Sequence, residues 1–186
     1  LFNGAGKLQG AKEGGNRELK RWRTVAISTG EMDIETFLAA GGLKVKAGQL
    51  VRLLNIPMEK STAFNGLPNG KAHADALKEA WIDNHGAAGR EWVKWLAANQ
   101  QEAKQAVRDA QTRWRGLIPA DYGEQVHRVA ERFAILEAAL VTGASITGWS
   151  EQASRDAIQH SFNAWVKEFG TGNKEHQQII EQCEAF

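Results

Sequence analysis

Cysteine is almost absent. Cys183 stands alone among 186 residues, so no internal disulfide can form, and the usage suits a reducing compartment. No apolar run approaches the roughly 20 residues of a membrane span. Charge of one sign is also missing: 23 basic residues face 22 acidic ones, a formal net charge of +1. No overall field therefore calls for a polyanion or a lipid surface, and any basic patch must be local. The chain opens Leu1-Phe2-Asn3-Gly4, without the basic and apolar regions of a signal peptide. The missing initiator Met suggests a chain cut from something longer. These absences together predict a soluble, cytoplasmic protein.

Catalytic motifs are lacking too. Asn3-Gly4-Ala5-Gly6-Lys7 invites comparison with a phosphate loop, G-x-x-x-x-G-K followed by Ser or Thr between a strand and a helix. Leu1 stands where the first Gly belongs, and Leu8 replaces the hydroxyl that would hold magnesium. A glycine-rich turn is the better reading, and the chain alone is expected not to hydrolyse ATP. His73, His85, His127, His160 and His176 do not pair with one another or with Cys183 at zinc-ligand spacing. No feature near Cys183 would lower its pKa and make it a nucleophile. No metal site is expected.

What is present is a core and helical periodicity. Hydrophobic residues make up 42% of the chain, enough for a globular interior. The first twenty residues, rich in Gly, Lys, Arg and Asn, read as a flexible loop or an irregular hairpin. The run from Trp22 to Thr29 reads as a short buried strand bounded by Gly30, and Gln49 to Ile56 as a second, stopped by Pro57. Between them, Glu31 to Ala40 predicts a short helix ended by Gly41-Gly42. Two buried strands around a helix suggest the edge of an α/β sheet. Two strands alone make no stable sheet, so the remainder is expected elsewhere.

After Pro57 the character changes. Ser61 to Lys71 is a loop with Asn65-Gly66 and Pro68-Asn69-Gly70 turn signals. Helices are predicted over His73–His85, Gly89–Arg115, Tyr122–Val141, Gln152–Phe169 and Asn173–Phe186, with Ser150 as N-cap of the fourth. Val126, Val129, Phe133, Ile135, Leu136 and Leu140 form the apolar set of the third. The expected core includes Val25, Ile27, Leu53, Ile56, Trp92, Leu96, Phe133, Leu136 and Trp165. Of the seven tryptophans, those in or beside helices read as helix-packing core rather than base-stacking platforms. Lys7, Lys12, Arg17, Lys20, Arg21 and Arg23 cluster ahead of the first predicted strand, diluted by Glu13 and Glu18. The cluster is either a solvated loop or a set of DNA phosphate contacts, since a few contacts need only local charge.

Two segments together carry a resemblance. Trp22-Arg23-Thr24-Val25-Ala26-Ile27-Ser28-Thr29-Gly30-Glu31 resembles the W-R-hydrophobic-S-T-G-E strand of the Cch-like helicases, primase/helicase proteins of prophages and integrative elements. Ala47-Gly48-Gln49-Leu50-Val51-Arg52-Leu53-Leu54-Asn55-Ile56-Pro57 is similar to the same family's A-G-Q-x-V-R-L-L-D-I-P segment. The N-G-x-G-K start, Arg128 to Ala134 and Gly170-Thr171-Gly172-Asn173 add weaker likenesses. Asn55 stands where the family often has Asp, and Lys44 and Lys46 where it often has Arg.

The resemblance implies the C-terminal part of a AAA+-type ATPase related to ring helicases. Its phosphate loop and acidic magnesium-binding strand would lie upstream. Residues 1–57 would close an α/β ATPase core, with a remnant of two sheet strands. Residues 58–71 would be a linker and 72–186 a helical lid or bundle, giving a mainly α fold with a small β portion. Glu31, with Thr29 as fallback, would sit near the attacking water. Arg52 would point at the neighbouring subunit's γ-phosphate, and Arg128 or Arg132 would be the lid arginine. Lys7, Lys12, Arg17, Lys20 and Arg21 would contact DNA. ATP and magnesium would belong to the longer protein and not to this part, which would meet DNA and further copies of itself in a ring, and no membrane. The competing expectation is a non-catalytic helical module that binds DNA or a protein partner without ATP. Its support is the Trp-rich helical portion and the local basic cluster.

Overall fold

The computed structural model describes residues 4–45 and 47–173, together with His176, Ile179, Ile180, Cys183 and Glu184. Leu1, Asn3 and Lys46 lie outside the described residues, as does most of the expected helix over Asn173–Phe186. The chain divides into two compact units, Leu1–Leu53 and Leu54–Phe186. The fold is mainly helical, with eight helices among the described residues. No described helix is long and apolar enough to cross a membrane.

The first unit begins as an irregular antiparallel hairpin. Backbone hydrogen bonds join Gly4 to Trp22, Gly6 to Lys20, Gln9 to Arg17 and Ala11 to Gly15 at 2.9, 2.9, 2.8 and 2.9 Å. Every pair belongs to one register, which sets Ala5 opposite Arg21 and Gly10 opposite Asn16. Bonded pairs fall on even positions of the outer half and odd positions of the inner half. That shift interrupts the ladder and leaves isolated bridges instead of strands. Gly14 and Gly15 take φ of 94° and 79° at the tip, a left-handed turn that glycine enters without a Cβ clash.

Helix α1 (Ile34–Ala40) starts later than the expected Glu31 because Asp33 caps it. Asp33 Oδ1 accepts from the Thr36 amide at 2.8 Å and Oδ2 from its hydroxyl at 2.7 Å. The Thr36 amide, and then its hydroxyl, hold the Asp33 carboxyl below the usual carboxylate range.

The two expected strands are not formed among the described residues. Residues 23–29 make no backbone hydrogen bond to another described segment, and Val25 and Ile27 are 85% and 92% exposed instead of buried. A lone β-branched segment has nothing to bond its backbone or cover its side chains. The Gln49–Ile56 segment enters a single helical turn, α2 (Ala47–Leu50), and then a bend. Gln49 C=O accepts from the amides of both Arg52 and Leu53. A short apolar run such as Leu50-Val51-Arg52-Leu53 does not distinguish strand from helix by periodicity. Leu50 and Val51 are buried there.

In the second unit, α3 (Gly70–Asn84) is capped by Asn69, whose side chain accepts from Ala72 N–H at 3.0 Å. None of its residues is buried. The long helix expected over Gly89–Arg115 is two helices, α4 (Ala87–Ala98) and α5 (Gln100–Leu117). Asn99 makes the break without glycine or proline. Its side-chain amide and its backbone N–H both donate to Trp95 C=O at 2.9 Å, while its own C=O receives Ala103 N–H. Asparagine competes for backbone partners in this way, so the joint is hard to see in sequence. Helix α6 (Glu124–Thr142) is central, and α7 (Ala144–Thr147) is a single turn. Ser150 caps α8 (Glu151–Phe169), its Oγ accepting from Ala153 N–H at 3.1 Å, which is the predicted role.

Helices α5 and α8 both pack on α6. Arg113 meets Glu137 and Arg115 meets Glu131, so α5 runs antiparallel to α6. Gly123 meets Thr171 and Glu137 meets Arg155, so α8 does too. The buried face of α6 is Val126, Val129, Ala130, Phe133, Ala134 and Ala138. Small residues on this stripe let the aromatic side chains of the flanking helices approach. Trp114 lies edge-on to Phe162 at 5.1 Å, Phe162 to Phe133 at 5.3 Å, and Trp165 stacks on Phe169 at 4.6 Å. Of the expected core, Phe133 and Trp165 are buried, and Leu53, Ile56, Trp92 and Leu96 are half-buried. Leu136 and Ile135 are exposed, because the stripe turns through Phe133 to Glu137 instead.

Gln125 is also buried, 1% exposed, with neither amide atom hydrogen-bonded. An unpaired buried amide keeps its desolvation cost. Gln125→Leu is expected to raise unfolding free energy by about 1 kcal/mol, read from urea midpoints at constant m value. A loss of stability would mean that the amide has a partner in solution.

Candidate functional site

The hairpin presents charge. Lys7, Lys12, Arg17, Lys20, Arg21 and Arg23 are all exposed, and none pairs with a described carboxylate. Glu13 and Glu18 are the acidic residues of the same stretch, so six cations against two anions leave a net +4. The paired backbone from Gly4 to Trp22 holds five of these cations, all but Arg23, on one short ribbon, where a flexible loop would scatter them. Such a ribbon can neutralise a few phosphates and carries no base-reading geometry. If the ribbon meets phosphates instead of being a solvated loop, single- and double-stranded DNA should bind weakly and without sequence preference. Affinity should fall at least tenfold between about 50 and 200 mM salt for roughly two to four contacts. Fluorescence anisotropy at the two salt concentrations reads this. Salt-independent binding, or none at low salt, contradicts it.

The glycine-rich start does not fit a phosphate cradle. Gly6 N–H, an amide that would have to face phosphate oxygens, donates to Lys20 C=O at 2.9 Å, and Trp22 N–H closes the turn onto Gly4 C=O. No helix follows Lys7 until α1. No group of His, Cys, Asp and Glu side chains among the described residues could hold a metal ion.

Thr29, Glu31 and Arg52 all lie in the first unit, all exposed. No hydrogen bond or ion pair joins any two of them. Thr29 and Glu31 lie at the end of the unpaired segment, and Arg52 follows α2 on the bend closed by Gln49 C=O. The position predicted on a strand is therefore a turn position. The Arg52 guanidinium meets no described carboxylate and reaches back over Gly48. Arg128 and Arg132 belong to the second unit, one helical turn apart on the exposed side of α6.

A feature the sequence reading missed is the polar centre of the bundle. Glu137 is 2% exposed. Arg113 Nε donates to Glu137 Oε1 at 2.9 Å, and Arg113 Nη2 donates to Oε2 as the second arm of a fork. Trp114 Nε1 donates to Oε2 at 2.8 Å, and Arg155 Nε stands 4.0 Å from Oε1. One carboxylate on α6 thus ties α5 to α6 and faces a cation of α8. The Arg113 guanidinium also lies 5.8 Å from the Trp114 ring centre. The available signal was spacing: Glu137 follows Phe133 by one helical turn, at a position where an apolar residue belongs. A cavity of about 390 Å³ opens beside this centre, between the C-terminal ends of α5 and α8. Trp114 and Phe162 line it, with Tyr122 among its walls.

Comparison with protein-family models, with curated proteins and with solved structures finds no match.

Proposed function

We propose that this chain is the C-terminal part of a mobile-element DNA helicase/primase ATPase of the AAA+ type. It supplies Arg52 to a nucleotide site shared with the neighbouring subunit, and its helical part serves as a lid. The observation that carries this reading is the orphan segment. Residues 23–31 make no backbone–backbone hydrogen bond to a described residue, and Val25 and Ile27 stand in water. A Thr-Val-Ala-Ile-Ser-Thr run has high strand propensity and an apolar row at period two. An unpaired row of N–H and C=O groups flanking it is a template for strand pairing. This supports a reading in which strands outside this chain complete it, as those of an ATPase core would.

Within that reading, ATP and magnesium are held by residues outside this chain. Catalysis at such a site is positioning and stabilisation of charge around the γ-phosphate. Arg52 suits the second task, because guanidinium is always charged and offers a planar fork of donors. Its exposure leaves it open to a neighbour. Glu31 and Thr29, at the end of the orphan strand, would orient the attacking water, and Arg128 or Arg132 would meet the nucleotide from the lid. The basic hairpin supports the second reading as well, a non-catalytic helical module that binds DNA or a protein.

Hydrogen exchange separates them. In this chain alone, amides 24–28 should exchange near their intrinsic rates. In a longer polypeptide carrying the preceding sequence they should slow by about 100-fold or more, the signature of a paired strand. Unchanged fast exchange in the longer polypeptide would favour the module.

A further inference from the structure

The cavity of about 390 Å³ at the C-terminal ends of α5 and α8 is of small-molecule size. Sites of that kind combine apolar walls with a few converging polar groups. Here Trp114 and Phe162, both buried, meet edge to face at 5.1 Å and supply aromatic surface. Tyr122, from the turn ahead of α6, adds a half-buried ring and a hydroxyl. Gln159, Asn163 and Lys167 line the α8 side at i, i+4 and i+8, roughly 6 Å apart along the helix axis.

This polar row differs from others on the surface. Glutamines elsewhere find an aspartate one turn on: Gln105 Nε2 donates to Asp109 Oδ1 at 2.8 Å and Gln152 Nε2 to Asp156 Oδ1 at 2.7 Å. Gln159 has Asn163 at that position, and Lys167 one turn further. The side chains of Tyr122, Gln159, Asn163 and Lys167 make no hydrogen bond or ion pair with a described residue. Among the described residues lining the cavity there is no carboxylate, and Lys167 carries the charge.

Those features select a ligand. A primary amide offers a donor and an acceptor side by side. Two amides one turn apart suit the edge of a planar heterocycle, as in the reading of unstacked bases. Aromatic side chains accept the face of any base. Lys167, beyond the amides, suits a phosphate. A fatty or other purely apolar anion would leave both amides unpaired beneath it, and a cation would be repelled by Lys167. A duplex does not fit, because its bases are stacked and paired.

We infer that the cavity between α5 and α8 binds one nucleotide unit, its base on Trp114, Phe162 and Tyr122, its base edge on the Gln159 and Asn163 amides, and its phosphate on Lys167. The unit is a free mononucleotide or an unstacked base of a single strand, which share this chemistry. All six residues belong to the Leu54–Phe186 unit. Binding there needs neither Arg52 nor a neighbouring subunit, so it stands or falls apart from the motor reading.

Calorimetric titration of the chain with thymidine monophosphate, thymidine and short single-stranded oligo(dT) tests this. The monophosphate should bind with a Kd on the order of 0.1–1 mM, and thymidine about twofold to fivefold more weakly. Gln159→Leu combined with Asn163→Leu should weaken both by about tenfold or more. Lys167→Gln should bring the monophosphate to the level of thymidine and leave thymidine unchanged, which separates a phosphate contact from a disturbed fold. Leu117→Trp, which fills the cavity and leaves the polar row alone, should weaken both. Oligo(dT) at about 0.5 M salt, where phosphate contacts of the hairpin are screened, identifies the source. Tighter binding than the monophosphate, lost with Gln159→Leu and Asn163→Leu, assigns the single strand; the reverse order assigns the free mononucleotide. Absence of binding by all three up to about 10 mM would overturn the inference. So would affinities unchanged by Gln159→Leu with Asn163→Leu, or a Lys167→Gln variant that weakens monophosphate and thymidine equally.

Discussion

Glu137→Ala is expected to cost about 3–5 kcal/mol of unfolding free energy. That is the range for removing one partner of a buried pair and leaving the other charge uncompensated. Three groups lose their acceptor or counter-charge at once: both arms of the Arg113 fork, the Trp114 indole N–H, and the nearby Arg155 guanidinium. A void between α5 and α6 adds to the loss. For a unit of this size the melting temperature should fall by on the order of 10 °C. Arg113→Met together with Glu137→Leu should recover much of the loss, because two apolar groups of matching shape leave no charge unpaired. The cycle of single and double variants measures the coupling between the two residues. A loss below about 1 kcal/mol for Glu137→Ala would place the ion pair in water and not at the bundle centre.

Helix positions were legible in sequence wherever a cap or a regular apolar stripe marked them. Ser150 announced α8, and the Val126–Phe133 stripe announced α6. The joint at Asn99 was not legible, because no glycine or proline marks it and the apolar spacing runs on through it. The face of α6 was misread past Phe133 for a related reason. Ile135 and Leu136 look like core by hydrophobicity, yet the helical period carries the buried stripe to a carboxylate. A charge on an apolar stripe reads as an interruption until its partners are seen, and here they come from 24 residues upstream and 18 downstream in sequence. The segment around Val25 and Ile27 is a different case. Its composition is that of a strand, and strand formation depends on a partner that local sequence cannot supply. Of the candidate site, the exposure of Arg52 and the basic hairpin followed from residue type. The turn that holds Arg52 did not, since Leu50, Val51 and Leu53 suit either a strand or a helical turn.

The second large effect concerns Arg52 itself. In the longer protein that the motor reading requires, Arg52→Ala should lower ATP turnover by roughly 10³-fold or more, the range for losing an arginine that acts on the transferring phosphoryl group. Nucleotide affinity should change far less, because the guanidinium stabilises charge that develops only in the transition state. Arg52 is exposed and takes part in no ion pair among the described residues. The change should therefore leave folding almost untouched, within about 0.5 kcal/mol, as for other surface substitutions. Lower stability together with lower turnover would point to a structural arginine.

The central claim is that Arg52 acts across a subunit boundary, and one mixing measurement bears on it most directly. Subunits carrying Arg52→Ala are combined with subunits defective in the upstream phosphate loop, and ATP turnover is followed across the mixing ratio. Each species alone should be inactive. If Arg52 serves the neighbour's site, mixed rings contain some interfaces with an intact phosphate loop facing an intact Arg52, and turnover should reappear, greatest near equal proportions. Turnover that stays at the level of the two separate species at every ratio would contradict the account.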